Sequence, residues 1–418
     1  MSSFLLQKVR KMRFTPNTAR AQFTALSQTH NNKPVVFLDG PGGSQVPQSV
    51  LTAMNEYLGF YNSNLGGHYF SSKRTVELVA DAREHARALL NAPTADNIVF
   101  GANMTSLTFQ LSRAISRDWQ AGDEVIVTAL DHYSNVSSWE QAAEDKGATV
   151  KQAKVDPKDC SVDLAHLESL LNEKTRLVAI TYASNTTGTI TDIRRVVEMA
   201  KRYGAAVYVD AVHYTPHGLV DVEALGCDFL VCSAYKFFGP HLGVAFVASD
   251  WLQSLRPYKV EPATDIGPAR FETGTQNFEA LAGFIAAVDY LASWGEGDSL
   301  RQQLVSAMKD IGAHEEQISR YFLQRLSKVE SLSRYGTENC DHLKRTPTFA
   351  LRSSKHSPEL LAKALGEHNL CVWNGHFYAL GLVRQLGLDD KGGVLRVGFM
   401  HYNTLEEVDL FFDTLESL

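Results

Sequence analysis

The chain has 418 residues, 44% of them hydrophobic and 21% charged, with 40 basic against 47 acidic side chains and a net charge of −7. That length allows two or three domains and a large core without staples, and the acidic balance gives a nucleic-acid partner no support. No apolar run reaches the roughly 20 residues of a membrane helix, and five cysteines (Cys160, Cys227, Cys232, Cys340, Cys371) with no CxxC pair fit a reducing compartment better than a disulfide framework.

The first 38 residues hold no acidic side chain but carry Lys8, Arg10, Lys11, Arg13, Arg20 and Lys33. Such composition suits either a transit peptide or a basic helix lying on an acidic protein. The second is the expectation, with a cytoplasmic location.

From about Val35 to Phe246, short β-rich runs alternate with amphipathic stretches. The runs are 34–38, 97–100, 124–128, 176–181, 206–209 and 228–232, and the helical stretches include 76–90, 164–171 and 193–203. Apolar, β-branched strands alternating with helices predict a mostly parallel sheet covered on both faces. Ligands then lie at the carboxyl ends of the strands. After about Asn277 the texture changes to long helices (279–293 and 300–329), two strands (348–352 and 394–398) and a closing amphipathic helix (404–418). The reading is α/β, with a large domain over 35–278 and a small α+β domain formed by 1–34 with 279–418.

The strand ends carry the chemistry. Asp210 closes the run 206–209, and a carboxylate there is costly unless something pairs with it. A helix cap, a structural salt bridge or a protonated pyridine nitrogen would each serve. One strand on, Lys236 follows Ser233-Ala-Tyr235 and precedes Phe237-Phe-Gly-Pro240, where burial favours the free amine that an imine requires. The turn Gly101-Ala102-Asn103-Met104 leads into the helical stretch 106–115 and offers N–H groups to a phosphate, with Ser233 adding a hydroxyl. His132 stands where it could stack on a flat ligand, and Asn185 where it could bond a phenolic oxygen. Pyridoxal phosphate meets all five demands at once. No GxGxxG follows the first strand, which argues against a dinucleotide. Tyr-Thr-Pro between His213 and His217 breaks the helix that an i, i+4 metal pair requires, so no metal is expected.

These residues resemble a class V aminotransferase of the cysteine desulfurase-like group, with the type I pyridoxal-phosphate fold. The resemblance runs from Phe37-Leu-Asp-Gly-Pro-Gly-Gly43 to Tyr402-Asn-Thr-Leu-Glu-Glu-Val408, and its most specific parts are Val209-Asp-Ala-Val-His213 and Ser233-Ala-Tyr-Lys236. It implies a Schiff base on Lys236, the ring nitrogen on Asp210 and His132 stacked on the ring. Asn185 and His213 would lie near the phenolic oxygen, and Ala102, Asn103, Met104 and Ser233 at the phosphate. Tyr235 stands where relatives have His, and His213 where many have Gln. Thr275 would reach the phosphate of a neighbouring subunit, which implies a homodimer. Arg396 would grip the substrate carboxylate, with His68 in the pocket.

In one place the chain departs from the pattern. In Leu370-Cys-Val-Trp-Asn-Gly-His-Phe-Tyr-Ala379, Tyr378 stands at the position of the desulfurase nucleophile and Trp373 where an arginine is expected. Cys371 falls too early and reads as a core residue. The main expectation is therefore transaminase or lyase chemistry on a small α-amino acid. Genuine cysteine desulfurase or selenocysteine lyase activity is one alternative, and a non-catalytic cofactor-binding partner protein is the other.

Overall fold

The structure, a computed structural model, describes residues 13–418. Its centre is a seven-stranded sheet of β1 (Ile98–Gly101), β2 (Glu124–Thr128), β3 (Thr149–Ala153), β4 (Thr175–Thr181), β5 (Ala206–Asp210), β6 (Phe229–Ser233) and β7 (Gly243–Val247). The spatial order is β1-β7-β6-β5-β4-β2-β3, and β7 alone runs antiparallel to its neighbours. Alternate side chains of each strand enter different cores. Ile126, Ile180, Val207, Val209 and Leu230 pack with helices Phe70–Leu90 and Phe278–Ala292. Val125, Val127, Leu177, Tyr208 and Val231 face helices Met104–Ile115 and Ser134–Glu144. Burial on both faces is why these strands read as continuous apolar runs.

Two of these strands escape the sequence reading. Strand β3 lies at the sheet edge, with Lys151 and Gln152 inside a run that is mostly half-exposed. Strand β7 returns directly after the Lys236 turn. The predicted strand 34–38 needs correction, because Val36–Phe37 pairs in parallel with Leu370–Cys371 and takes no place in the large sheet.

The second sheet contains β8 (Leu332–Tyr335), β9 (Thr348–Ser353), β10 (Trp373–Gly375) and β11 (Val394–Gly398), in the order β8-β9-β11-β10, every pair antiparallel. Helices Leu300–Leu326 and Leu405–Glu416 cover it through Phe322, Phe349, Phe399, Phe411 and Phe412. The Phe322 and Phe349 rings stack at 3.9 Å. Burying each such ring stabilises by about 1.5–3 kcal/mol.

Of the basic N-terminal stretch, Lys8, Arg10 and Lys11 lie outside the described residues. Pro16–Arg20 forms one helical turn capped by Thr15. Arg20 donates to Tyr402 O at 2.9 Å and pairs with Glu407 at 2.8 Å, and Phe23 packs edge-on against Tyr290 and Tyr402. Because Arg20 is largely covered, Arg20→Ala is expected to cost about 1 kcal/mol. Chemical denaturation would show a lower midpoint at unchanged slope.

Candidate active site

The carboxyl ends of the central strands surround a cavity of about 360 Å³, lined among others by Asn103, Met104, His132, Asn185, Asp210, His213, Ser233, Tyr235 and Lys236. Nine residues singled out in the sequence therefore meet at one place. Asp210 is buried at the end of β5, and Oδ1 accepts from Val212 N at 2.9 Å. Burial pushes its carboxyl up to about 6 against the opposing effects of the Val212 N–H and of Lys236. Lys236 follows β6 and donates to Pro41 O. Burial first, then the Arg396 charge, lower its amine to about 7, with Asp210 and Asp39 opposing. A free amine is thus available near neutrality, as imine chemistry requires.

His132 follows β2, and its Nδ1 accepts from Ser134 N at 3.1 Å and meets Ser134 Oγ at 2.7 Å. Burial and then the charges of Lys236 and Arg396 lower the ring to about 4, so it is neutral at pH 7. His213 Nε2 lies 3.1 and 3.0 Å from the hydroxyls of Thr346 and Thr348, a contact from the large sheet to the small one. Tyr235 stacks on His241 at 5.2 Å.

Helix Met104–Ile115 points its N-terminus at the cavity. Asn103 caps it by accepting from Ser106 N at 2.9 Å, and Met104 N donates to Ser233 Oγ at 2.9 Å. Thr105 N finds no partner among the described residues, and Thr105 lines the cavity. An anion is what such a terminus binds.

Two expected residues of this site, Ala102 and His68, lie elsewhere, and Thr275, expected at the phosphate of a neighbouring subunit, lies outside this cavity as well. Ala102 and Thr275 line a second cavity, of about 660 Å³, which shares Asn103 and His241 with the first. Ala102 precedes the capping residue Asn103 and does not line the first cavity. His68 is exposed and lines neither cavity, because it sits in the surface turn tied by Gly67 N to Ser72 Oγ at 2.8 Å.

Arg396 is buried beside the cavity. Nη1 donates to Asn185 O at 3.0 Å, the guanidinium lies 4.0 Å over the Phe377 ring, and Nε has no partner among the described residues. Burial lowers it to about 9, opposed by Asp39. A buried guanidinium with an unused donor is a ready carboxylate clamp. Asp39, missed in the sequence, has a buried Oδ1 without a partner, and burial raises its carboxyl against the pull of Arg396 and Lys236. Asp131 was also missed. It accepts from Thr128 and Asn135, and burial raises it to about 8. Both stand beside residues already singled out, in Phe37–Gly43 and next to His132.

Tyr378 stacks on His132 at 5.1 Å and 29°. Among the described residues no cysteine lines the cavity. Cys371 is partly exposed, a correction to its reading as core, and burial together with Asp39 raises its thiol.

The Aminotransferase class-V family model matches residues 36–411. The chain belongs to that family. Among its class V relatives, a probable cysteine desulfurase of Halalkalibacterium halodurans is 31% identical over 94% of this chain and 95% of its own length. A cysteine desulfurase of Escherichia coli O9:H4 is 30% identical over 97% and 99%. The apo structure of a cysteine desulfurase from Thermococcus onnurineus superposes with a TM-score of 0.86, at 24% identity and covering 97% and 99% of the two chains. The class V fold is thus the type I fold, and class V enzymes of this desulfurase-like group depend on pyridoxal phosphate.

The residues fit that group. The helix N-terminus at Asn103–Thr105, with Ser233, would hold its phosphate, Asp210 its ring nitrogen, His132 its face and Lys236 its aldehyde carbon. A Cβ on Gly243 would stand 2.5 Å from the Asn103 carbonyl carbon, so only glycine lets the helix start sit this close to β7.

Proposed function

We propose that this class V enzyme is a carbon–sulfur lyase acting on a small α-amino acid and releasing the sulfur to solvent instead of to a thiol of its own chain. The supporting observation is a cavity lined by Lys236 and Asp210 and by no described cysteine, with Arg396 buried beside it and Tyr378 stacked on its His132. The names of the relatives favour sulfur removal over transamination.

Each residue has a task. Arg396 receives the substrate carboxylate through its free Nε, which orients the α-carbon over Lys236. Lys236 Nζ, near its own midpoint at neutral pH, accepts the α-proton and can return it. His132, neutral at pH 7, can lie against the ring without adding a positive charge to the site. Pyridoxal phosphate, when bound, supplies the electron sink for the charge left at the α-carbon, and Asp210 keeps the ring nitrogen protonated. With L-cysteine the Cβ–S bond breaks, its electron pair leaves with sulfur, and water completes the balance to pyruvate, ammonium and hydrogen sulfide.

The test is to incubate the holoenzyme with L-cysteine and quantify sulfide, pyruvate and alanine. Sulfide and pyruvate in equal amounts are expected. Alanine with sulfur passed to an added thiol would replace this reading by a desulfurase one. A keto acid that retains its sulfur would make the enzyme a transaminase.

A further inference from the structure

Among the described residues, eight other than glycine adopt left-handed backbone, and four of them are asparagine, which tolerates it. Three are aromatic, and all three flank the site: Phe238 two residues after Lys236, and the consecutive pair Phe377 (φ 52°) and Tyr378 (φ 59°). An aromatic residue in this region is strained and persists only where its surroundings fix it.

The surroundings of the pair are specific. Phe377 O accepts from Asn185 Nδ2 at 2.9 Å, Tyr378 O accepts from Tyr133 N at 2.8 Å, and Tyr378 N donates to His376 Nδ1 at 3.1 Å. The two rings then part. Phe377 lies 4.0 Å beneath the Arg396 guanidinium, and Tyr378 stacks on the imidazole of His132. Two adjacent residues of one loop thus back the carboxylate clamp and the ring that faces the cofactor. Tyr378 is 66% exposed, so its own burial does not explain the strained backbone.

We propose that Phe377 and Tyr378 act as a clip that fixes the spacing between Arg396 and His132, with Tyr378 a positioning residue working through its stacked ring. The clip rests on the reading of Arg396 as the carboxylate clamp. Fixed at that spacing, the site takes an amino acid whose carboxylate and α-carbon reach Arg396 and Lys236 together. Strain at the clip is the cost of holding both groups, as in other preorganised sites.

The test uses the full chain loaded with pyridoxal phosphate, as wild type, Tyr378→Gly and Tyr378→Phe. The first readout is the thermal midpoint without amino acid. The second is a titration of the visible absorption band with L-alanine, which has the amine and carboxylate but no leaving group. Glycine adopts this backbone without strain, so Tyr378→Gly is expected to melt at or above wild type yet bind L-alanine roughly tenfold more weakly. Tyr378→Phe is expected to restore wild-type binding. Unchanged binding in the glycine variant would overturn the clip, as would a glycine-like loss in the phenylalanine variant or a much lower midpoint for Tyr378→Gly. Because L-alanine carries no sulfur, the clip can stand in this assay even if no sulfide appears from cysteine, and the lyase reading would then fall alone.

Discussion

Lys236→Ala is expected to abolish turnover, lowering kcat/KM by roughly 10⁴-fold or more, because it removes both the group that binds the cofactor carbon and the base at the α-proton. Its effect on the stability of the cofactor-free protein has the opposite sign. The folded-state pKa is about 7, against the usual 10.5 of a lysine. Between those values the unfolded chain holds more protons, so stability rises with pH through this window and is poorest below pH 7. The variant loses this dependence and should melt at or above wild type near pH 6. The measurement is turnover of L-cysteine beside a thermal midpoint series from pH 6 to 9. Retained turnover would remove Lys236 from the chemistry.

Asp210→Asn has the second largest expected effect. The isosteric amide can still accept from Val212 N, so the fold keeps its hydrogen bond. It cannot hold a positive charge on the ring nitrogen, and kcat is expected to fall by roughly 10²–10³-fold. In the cofactor-free protein the buried carboxylate is a burden. Its pKa is raised from 3.8 to about 6, equivalent to about 3 kcal/mol of penalty once ionised. The folded state holds the extra proton between these values, so this contribution to stability falls as pH rises from about 4 to 6 and is level above that. Asp210→Asn should therefore stabilise the free protein at pH 7 and have little effect near pH 4. A cofactor titration is expected to show weaker binding at pH 7. Equal binding by both proteins would mean that Asp210 does not face the ring.

The strand-end chemistry was legible because a parallel sheet gathers the carboxyl ends of its strands. Asp210, His132 and Lys236 needed only that rule, and the apolar runs before them fixed their register. Strand β3 was hidden by the polar residues an edge strand carries, and β7 by its reversal directly after the catalytic turn. The role of Asp39 depends on a chain crossing that brings it against β11, where it bridges to Gly398, and no local pattern records that. The left-handed pair Phe377–Tyr378 carries neither glycine nor asparagine to announce it. Tertiary contacts impose that conformation, so it becomes visible only with Asn185, Tyr133 and Arg396 in place.

The contacts that close the site have a kinetic consequence. Pro41 meets Lys236 across 195 residues, Asn185 meets Phe377 across 192, and Arg396 meets Asn185 across 211. Loop closures of that span are entropically slow and gain nothing until both sheets exist. During refolding, secondary structure and sheet cores should therefore form before the protein can capture its cofactor. A chain released from synthesis would pass through a folded but inactive stage, ended by the joining of the segment 37–44, the turn after β6 and the loop after β10.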